Sequence, residues 1–327
     1  MKLRLATRRS PLALAQTRWV AARLGEAHPG LEVEEVPVVT LGDKVIDKPL
    51  ATIGGKGLFI NEVEARLVAG DADLAVHSMK DVPDALADGM DIVAMPVRED
   101  PRDVLVTTDG VGLHDLAPGT VVGTSSLRRA VQLHAARPDL RFAVFRGNVG
   151  TRLKKLEAGE VGAAVLAYSG LKRLGLDASV PHVALAPSVS LPAVGQGALG
   201  IEGPTDRPDL AELLAPLEHE TTRLAVEAER AYLALLQGSC TTPLAAHAAV
   251  AGRALEIEGM VGAVDGTGIL RERNGGPLDG DSPTERRRLA RELGRALAAR
   301  LLDQGAGGMV EAAQRCEDPY AVGPYAA

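Results

Sequence analysis

Short apolar runs alternate with amphipathic stretches along the first two thirds of the chain, and this alternation is typical of α/β layers. Leu3–Thr7 is an apolar run that predicts a strand, and the amphipathic stretch after it predicts a helix over Pro11–Ala27. Ser10 suits the N-cap of that helix, and Pro11 suits its first position. Further strands are expected at 31–40, 73–78, 91–97, 104–107, 121–123, 142–145 and 163–167, and further helices at 58–69, 127–136 and 149–157.

The pattern changes from about residue 219 onward. A long amphipathic helix is predicted over Thr221–Leu236, and Gly238 is expected to end it because glycine readily adopts the left-handed cap conformation. Strands at about 244–250, 254–263 and 267–273 follow, and then a charged helix at 283–302. Strands followed by a terminal helix indicate a small α+β domain.

Two polar connections divide the chain into lobes. The charged turn Arg98–Arg102 and the Pro- and Ser-rich loop at 181–194 look like paired crossings between two α/β lobes. A chain of 327 residues is also too long for one ordinary domain. We therefore predict an α/β fold with two lobes and a C-terminal α+β domain, divided into residues 1–97 with 196–217, residues 98–195, and residues 218–327.

Composition limits the partners of this protein. Aromatic residues make up only 2% of the chain, which argues against the stacking platforms that single-stranded nucleic acid requires. The net charge of −7 repels polyanions, so any anion binding must be local. Cys240 and Cys316 stand far apart in unlike surroundings, which favours a reducing compartment over a disulfide framework. The N-terminus has no signal-peptide pattern and no apolar run approaches about 18 residues, so we expect a cytoplasmic protein with no nucleic acid and no membrane as partner.

The segment Gly123–Arg173 carries the strongest chemical signal. It holds ten Lys and Arg residues against three acidic residues, and ten minus three gives a local balance of +7. Thr124–Ser126 lies between a predicted strand and a helix, where hydroxyls and free N–H groups bind anions. Arg128 and Arg129 fall in the first turn of that helix, where a cation opposes the helix dipole, and this unfavourable placement suggests a ligand.

Two further arginines occupy similar positions. Arg146 follows the next predicted strand, and Arg152 lies one turn into the helix after it. Arginine suits carboxylates and phosphates, because each sheltered charge-assisted bond contributes about 1.5–3 kcal/mol. The alternative is a solvated charged face, to which we assign Arg137, Lys154 and Lys155.

Lys80 and Asp81 follow a predicted strand, at the strand end where open α/β sheets bind ligands. Lys80 favours the charged form of the neighbouring carboxylate, which suits Asp81 to stabilise a cationic intermediate or to move a proton. The alternative is that Asp81 only caps a helix near Pro83. Cys240 lies in a polar loop after the long helix and is a candidate nucleophile, the alternative being a cysteine that only packs.

Three other patterns are set aside. The stretch Gly195–Gly200 matches a dinucleotide-binding fingerprint, but the sequence running on to Pro204 cannot open the helix that the fingerprint requires. Gly54–Gly57 lacks the Ser or Thr that follows the lysine of a P-loop, and the alternative is a mobile loop over a ligand. The seven histidines show no ligand spacing, so no metal site is expected.

Seven motifs occur in order between about residue 3 and Pro243: Ala6–Leu14, Gly54–Phe59, His77–Pro83, Gly123–Arg129, Arg146–Leu153, Gly170–Gly175 and Leu191–Gly197. In this order they resemble the hydroxymethylbilane synthases, also called porphobilinogen deaminases. Each motif is modest alone, whereas seven in sequence are highly specific to the family.

The resemblance implies three domains, of which two are lobes similar to type-II periplasmic binding proteins. It implies an enzyme that joins four molecules of porphobilinogen head to tail, releases ammonia, and then releases hydroxymethylbilane by hydrolysis. The implied cofactor is a dipyrromethane attached through a thioether to Cys240. The implied catalytic residue is Asp81, which would stabilise positive charge on a pyrrole nitrogen. The family resemblance also implies a monomer.

The same resemblance assigns the binding residues. The cofactor would be held by Lys80, Asp81, Thr124, Ser126, Arg128, Arg129, Arg146, Gly147 and Gln196 besides Cys240. The substrate would be held by Arg8, Ser10, Phe59, Arg146, Arg152 and Arg173.

The cysteine loop departs from the family pattern. A second glycine commonly precedes the cysteine, and Thr241 replaces a more usual glutamine, which bears on the loop conformation and not on the cysteine assignment. Two other functions are alternatives to this enzyme activity. A non-catalytic, two-lobed anion-binding protein would need neither Asp81 nor Cys240, and a nucleic-acid-binding protein would need wider basicity and aromatic platforms.

Overall fold

The computed structural model describes residues 2–44, 57, 60–83, 85–238 and 242–325. The first part of the chain contains β1 (Lys2–Arg8), α1 (Pro11–Ala27), β2 (Glu32–Val38), α2 (Leu41–Lys44), α3 (Asn61–Val68), β3 (Leu74–Ser78) and β4 (Met90–Ala94). The middle contains β5 (Asp103–Val106), β6 (Val121–Gly123), α4 (Leu127–Ala136), β7 (Arg141–Ala143), α5 (Val149–Glu157), β8 (Ala163–Ala167), α6 (Tyr168–Arg173) and β9 (His182–Ala184). The last part contains β10 (Leu199–Pro204), α7 (Pro208–Leu214), α8 (Glu220–Leu236), β11 (Leu244–Ala251), β12 (Ala254–Gly262), β13 (Ile269–Pro277), α9 (Pro283–Asp303) and α10 (Ala306–Arg315).

The first lobe is built on the sheet β2-β1-β3-β10-β4. Strand β1 is parallel to β2 and β3, whereas β10 is antiparallel to β3 and β4. Apolar residues of β1 and α1, among them Leu3, Leu5 and Leu24, form its buried core. The Ser10 side chain accepts a hydrogen bond from the Ala13 amide, which confirms the predicted start of α1. Parallel pairing brings the carboxyl ends of β1 and β3 to one edge of the sheet.

The second lobe repeats this arrangement in the sheet β7-β6-β8-β5-β9. Strand β6 is parallel to β7 and β8, and β5 is antiparallel to β8 and β9. The chain enters this lobe through residues 95–102 and leaves it through residues 185–198, which we call the first and second crossings, and β9 lies inside the loop predicted at 181–194. The exact domain boundaries stay predictions.

The C-terminal domain is an antiparallel sheet, β11-β12-β13, covered by α8 and α9. Its core includes Tyr232, Ile257 and Leu297, all essentially inaccessible to solvent. A Cβ at Gly294 would overlap the carbonyl of Ala228, so α8 and α9 pack backbone against backbone at this point. The predicted fold class, two α/β lobes with a C-terminal α+β domain, is confirmed.

Several predicted details were wrong. The left-handed residue at the end of α8 is Gln237, with φ of 52°, and not Gly238. Gly238 has a different role, because a Cβ there would overlap the Leu244 side chain. Strand β13 continues to Pro277, since Gly276 pairs with Leu255 of β12 although glycine gives no strand signal. The elements α2, β9, β10, α6, α7 and α10 were not predicted.

Glu229 of α8 joins both crossings to the C-terminal domain. Its carboxylate accepts hydrogen bonds from the Arg98 guanidinium at 2.6 and 3.1 Å, from the Gly195 amide at 2.7 Å and from the Ala248 amide at 2.8 Å. The side chain is fully buried. Although burial acts to raise it, the charge of Arg98 and the His247 ring, 3.5 Å away, lower the pKa of Glu229 to about 2. One carboxylate therefore holds three separate segments together.

We expect Glu229→Gln to lower the free energy of unfolding at pH 7 by about 3 kcal/mol, because it leaves the Arg98 charge buried without a counter-ion. The carboxylate's contribution is present above its ordinary pKa of 4.5 and is lost as the pH falls toward 2. The difference between wild type and variant in denaturant unfolding should therefore shrink as the pH is lowered from about 5.

Glu227→Gln is the matched control, since Glu227 lies two residues before Glu229 on α8 and pairs with Arg291 nearer the surface. We expect it to cost less than about 1 kcal/mol. Equal losses in the two variants would contradict a special role for Glu229.

Candidate functional site

The first edge of the site lies at the carboxyl ends of β1 and β3. Arg8 ends β1, and Lys80 and Asp81 lie in the single 3-10 turn that follows β3. Arg8 Nη1 is 3.9 Å from Asp81 Oδ2, a pair that leaves both side chains partly exposed. Gln16 donates to the Ser78 hydroxyl at 2.9 Å and supports the turn from α1. No helix begins at Pro83 in the residues described, so Asp81 is not a helix cap.

The chain beyond Asp81 is held by the C-terminal domain. Arg230 of α8 donates to the carbonyl oxygens of Val82 at 3.0 Å and Pro83 at 2.7 Å. Both acceptors lie within two residues of Asp81. The position of this carboxylate therefore depends on α8 as well as on β3.

Lys80 faces the second lobe. Its side chain is exposed to solvent, yet protein surrounds it closely enough that loss of hydration lowers the pKa of its ammonium to about 8. The nearby carboxylate of Asp81 opposes this change, and the positive charges of Arg129 and Arg152 add to it. The two lobes thus bring their cations toward one another, and we call the space between them the cleft.

The second edge contains the loop Thr124–Ser126, between β6 and α4. Thr124 is buried, and its hydroxyl accepts from the Ser126 amide at 3.2 Å. The Ser125 hydroxyl accepts from the Phe145 amide at 3.0 Å. Ser126 precedes α4 but makes no capping hydrogen bond with its side chain among the described residues. The loop is therefore ordered by its own hydroxyls at the start of α4.

Arg128 and Arg129 bind a residue that sequence reasoning missed. Arg128 contacts the carboxylate of Asp103 at 2.8 and 3.2 Å, and Arg129 contacts it at 2.7 and 3.0 Å. Ser190 donates to the same carboxylate at 2.7 Å, and Gln196 donates to it at 2.9 Å. Although burial acts to raise it, the two guanidinium charges hold the pKa of Asp103 well below its usual range. The one feature of the sequence that could have indicated Asp103 is its position as an acidic residue at the start of an apolar strand.

The ion pairs with Asp103 partly neutralise the basic segment Gly123–Arg173. Arg128 and Arg129 are buried, with exposures of 5% and 7%, and one of their two positive charges is balanced by Asp103. The unfavourable placement of two cations in the first turn of α4 is thereby partly explained within the chain. One net positive charge remains, beside the Thr124–Ser126 loop.

Arg146 and Arg152 differ from that pair. In the part of the chain that the structure describes, Arg146 Nη1 and Arg152 Nε are buried and make no hydrogen bond. Asn148 caps α5 by accepting from the Thr151 amide at 2.9 Å, which fixes the first turn that carries Arg152. Burial, and then the charge of Arg129, lower the pKa of Arg152 to about 10. Buried donors without acceptors are costly, so both guanidinium groups are suited to an anion.

Gly147 and Arg173 complete the second edge. Gly147 has φ of 118°, and a Cβ there would collide with the Thr151 side chain, so only glycine fits between Arg146 and α5. Arg173 donates to the Gly197 carbonyl at 2.6 Å, and burial lowers its pKa to about 10. Gln196, besides binding Asp103, donates to the Pro101 carbonyl at 2.6 Å. Arg173 and Gln196 thus also hold the crossings.

Arg137 donates to the carbonyls of Leu113 and Leu116 and pairs with Asp139, so it is a structural residue and not the ordinary surface residue that we expected. Phe59, Cys240 and the glycine-rich stretch at 54–56 lie outside the described residues.

Two further observations concern the whole of the described chain. An open cavity of about 410 Å³ lies between α8 and α9, and it contains none of the predicted site residues. No helix among the described residues combines the length and apolar character needed to cross a membrane.

Solved structures with a partial likeness to this chain include the following three. The alkanesulfonate-binding protein SsuA from Xanthomonas axonopodis pv. citri is 14% identical, with a TM-score of 0.36 over 68% of this chain and 73% of that one. The VFT2 domain of BvgS from Bordetella pertussis is 18% identical, with a TM-score of 0.40 over 66% and 86%. The OxyR2 regulatory domain from Vibrio vulnificus is 15% identical, with a TM-score of 0.39 over 66% and 95%. Likenesses of this size carry no functional argument.

Two family models match the sequence. Residues 3–212 match the dipyrromethane cofactor binding domain of porphobilinogen deaminase. Residues 223–303 match the C-terminal domain of the same enzyme. Together the two matches span most of the chain, and the chain therefore belongs to the porphobilinogen deaminase family, the hydroxymethylbilane synthases, which are transferases of tetrapyrrole biosynthesis.

Proposed function

We propose that this chain condenses four porphobilinogen molecules head to tail on a dipyrromethane held through a thioether to Cys240, with Asp81 as the catalytic carboxylate. The observation that carries the proposal is the pair of buried donor atoms on Arg146 and Arg152 that have no partner within the residues described, with the charge of Arg152 close enough to act on Lys80. Membership of the family supplies the substrate class. We further propose that the chain works as a cytoplasmic monomer.

The donor set fits a ligand of many carboxylates. Each added porphobilinogen unit brings an acetate and a propionate group, so a lengthening product needs a surplus of fixed cations. Arginine presents a planar fork that matches a carboxylate in two-point contact. Arg146 Nη1 and Arg152 Nε have no acceptor among the described residues, and two carboxylate groups would satisfy them.

Lys80 is also suited to bind a carboxylate group of the ligand. Its pKa of about 8 means that it is mostly protonated at neutral pH, but less strongly so than an ordinary lysine. The nearby charges of Arg129 and Arg152 contribute to this lowering, and a bound carboxylate would relieve it. The protonated form of Lys80 is therefore stabilised when an anion enters the cleft.

Asp81 is placed to act on the reacting pyrroles. Each addition breaks the C–N bond of the aminomethyl group, releases ammonia, forms one C–C bond and removes one proton from a ring carbon. The dipyrromethane, when bound, supplies the terminal ring to which the first unit is joined. Asp81, 3.9 Å from Arg8, is partly exposed at the cleft, where its negative charge stabilises the positive charge that develops on a pyrrole nitrogen.

The first test of the proposal is whether the cofactor is attached to Cys240. We expect the purified protein to show an intact-mass excess equal to two substrate-derived pyrroles, and peptide mapping to place it on Cys240. Cys240→Ala should remove the excess because it removes the only sulfur of that loop. Cys316→Ala is the matched control, since Cys316 is the other cysteine of the chain, and it should retain the excess. An active protein at its bare sequence mass would refute the cofactor assignment.

Asp81→Asn is the second test. We expect it to retain the bound cofactor by intact mass and to lose at least about 100-fold in kcat, because a neutral amide no longer balances a developing cation. The control is Asp91→Asn in β4 of the same lobe, an exposed carboxylate whose contact is with its own neighbour's amide, and it should keep normal turnover. Near-normal turnover by Asp81→Asn would favour the alternative of a non-catalytic anion-binding protein.

A further inference from the structure

The C-terminal segment of the chain carries an unusual share of its aromatic residues. Only 2% of the chain is Phe, Trp or Tyr, yet two of the four tyrosines, Tyr320 and Tyr325, lie in the last eight residues. Both rings are half-buried, and their centroids are 5.0 Å apart in an edge-to-face arrangement. We call residues 314–325 the C-terminal strap.

The two tyrosines bind consecutive residues of the Thr124–Ser126 loop. Tyr325 donates its hydroxyl to the Thr124 carbonyl at 2.8 Å, and Tyr320 donates to the Ser125 carbonyl at 2.9 Å. The peptide group is planar, so fixing each carbonyl also fixes the direction of the next residue's N–H. The strap thus restrains the Ser125 amide and adds to the restraint that the Thr124 hydroxyl places on the Ser126 amide, at the point where α4 begins.

The strap is itself attached to the C-terminal domain. Gly323 has φ of 59° and lies so close to the backbone of Val264 and Asp265 that a Cβ would not fit. Val264, Ala313 and Leu127 form a buried apolar cluster against which the tyrosines pack. The strap therefore spans from the C-terminal domain to the first turn of α4 in the second lobe.

The start of the strap reaches the other functional segment. Gln314 of α10 donates its side-chain amide to the Gln237 carbonyl at 2.9 Å. Gln237 is the left-handed residue that ends α8, three residues before Cys240. A single short segment therefore contacts both the chain leading to Cys240 and the loop that opens α4.

We propose that the C-terminal strap fixes the Thr124–Ser126 loop relative to the end of α8, and that Tyr320 and Tyr325 are positioning residues for carboxylate binding by that loop. The proposal rests on the proposed function for the identity of the ligand, but the restraint on the loop stands on the contacts alone. Loss of both hydroxyls would leave two loop carbonyls without these donors and free two peptide planes to rotate.

The test is the double variant Tyr320→Phe/Tyr325→Phe in the full-length, cofactor-loaded protein. It keeps both rings and removes only the two donors. We expect hydrogen exchange in the peptide covering residues 122–130 to become about tenfold faster, and KM for porphobilinogen to rise about tenfold with kcat within about twofold of wild type. Tyr325→Phe alone should give a rise of about threefold to fivefold in KM.

Tyr232→Phe is the matched control, because its buried hydroxyl also donates to a carbonyl, that of Met260 at 2.9 Å, inside the C-terminal domain. It should destabilise the protein without changing exchange at 122–130 or KM. Unchanged exchange in the folded double variant overturns the proposal, and so does faster exchange with an unchanged KM. A wild type without turnover of porphobilinogen refutes the proposed function, while the exchange measurement still decides whether the strap restrains the loop.

Discussion

The buried carboxylate of Asp103 is the interaction on which the rest of the site depends. It stands at the start of β5, directly after the first crossing, and binds Arg128 and Arg129 of α4. Ser190 and Gln196, which bind it too, belong to the second crossing. A buried charge that loses one partner costs about 3–5 kcal/mol, so the four partners restrain one another strongly. The two crossings and the first turn of α4 are thereby fixed as one unit.

Because of this constraint, the arginines of the second lobe differ in whether their guanidinium donors are available to a ligand. Arg128 and Arg129 share a counter-ion inside the protein, and their guanidinium groups are already directed by it. Arg146 and Arg152 retain buried donor atoms with no acceptor in the described part of the chain. An acidic protein can in this way maintain a local surplus of positive charge without leaving every cation unpaired. The pKa of Lys80 is lowered first by burial and then by the charges of Arg129 and Arg152, which shows that cations of the second lobe lie near it.

The sequence predicted what local patterns control. Ser10 caps α1 as expected, because capping depends on residues three positions apart, and the strand ends that carry Lys80 and Arg146 follow from short apolar runs. Asp103 and Glu229 were missed, since the partners named for them lie 19 to 131 residues away along the chain, and hydrophobic periodicity carries no information about such distant pairs. Gly238 was misassigned because glycine serves equally for a left-handed cap and for close packing. The family was indicated by the order of the seven motifs along the chain, and not by the pattern of hydrophobic and polar positions.

The C-terminal domain does more than carry Cys240. Arg230 of α8 binds the carbonyls of Val82 and Pro83, next to Asp81, and the C-terminal strap binds the carbonyls of Thr124 and Ser125. The domain therefore contacts the functional loop of each lobe through the backbone, where a hydrogen bond sets the loop conformation directly. Glu229 attaches the same domain to both crossings. A displacement of one lobe against the other must then strain contacts at the C-terminal domain, so this domain is positioned to limit how far the cleft opens.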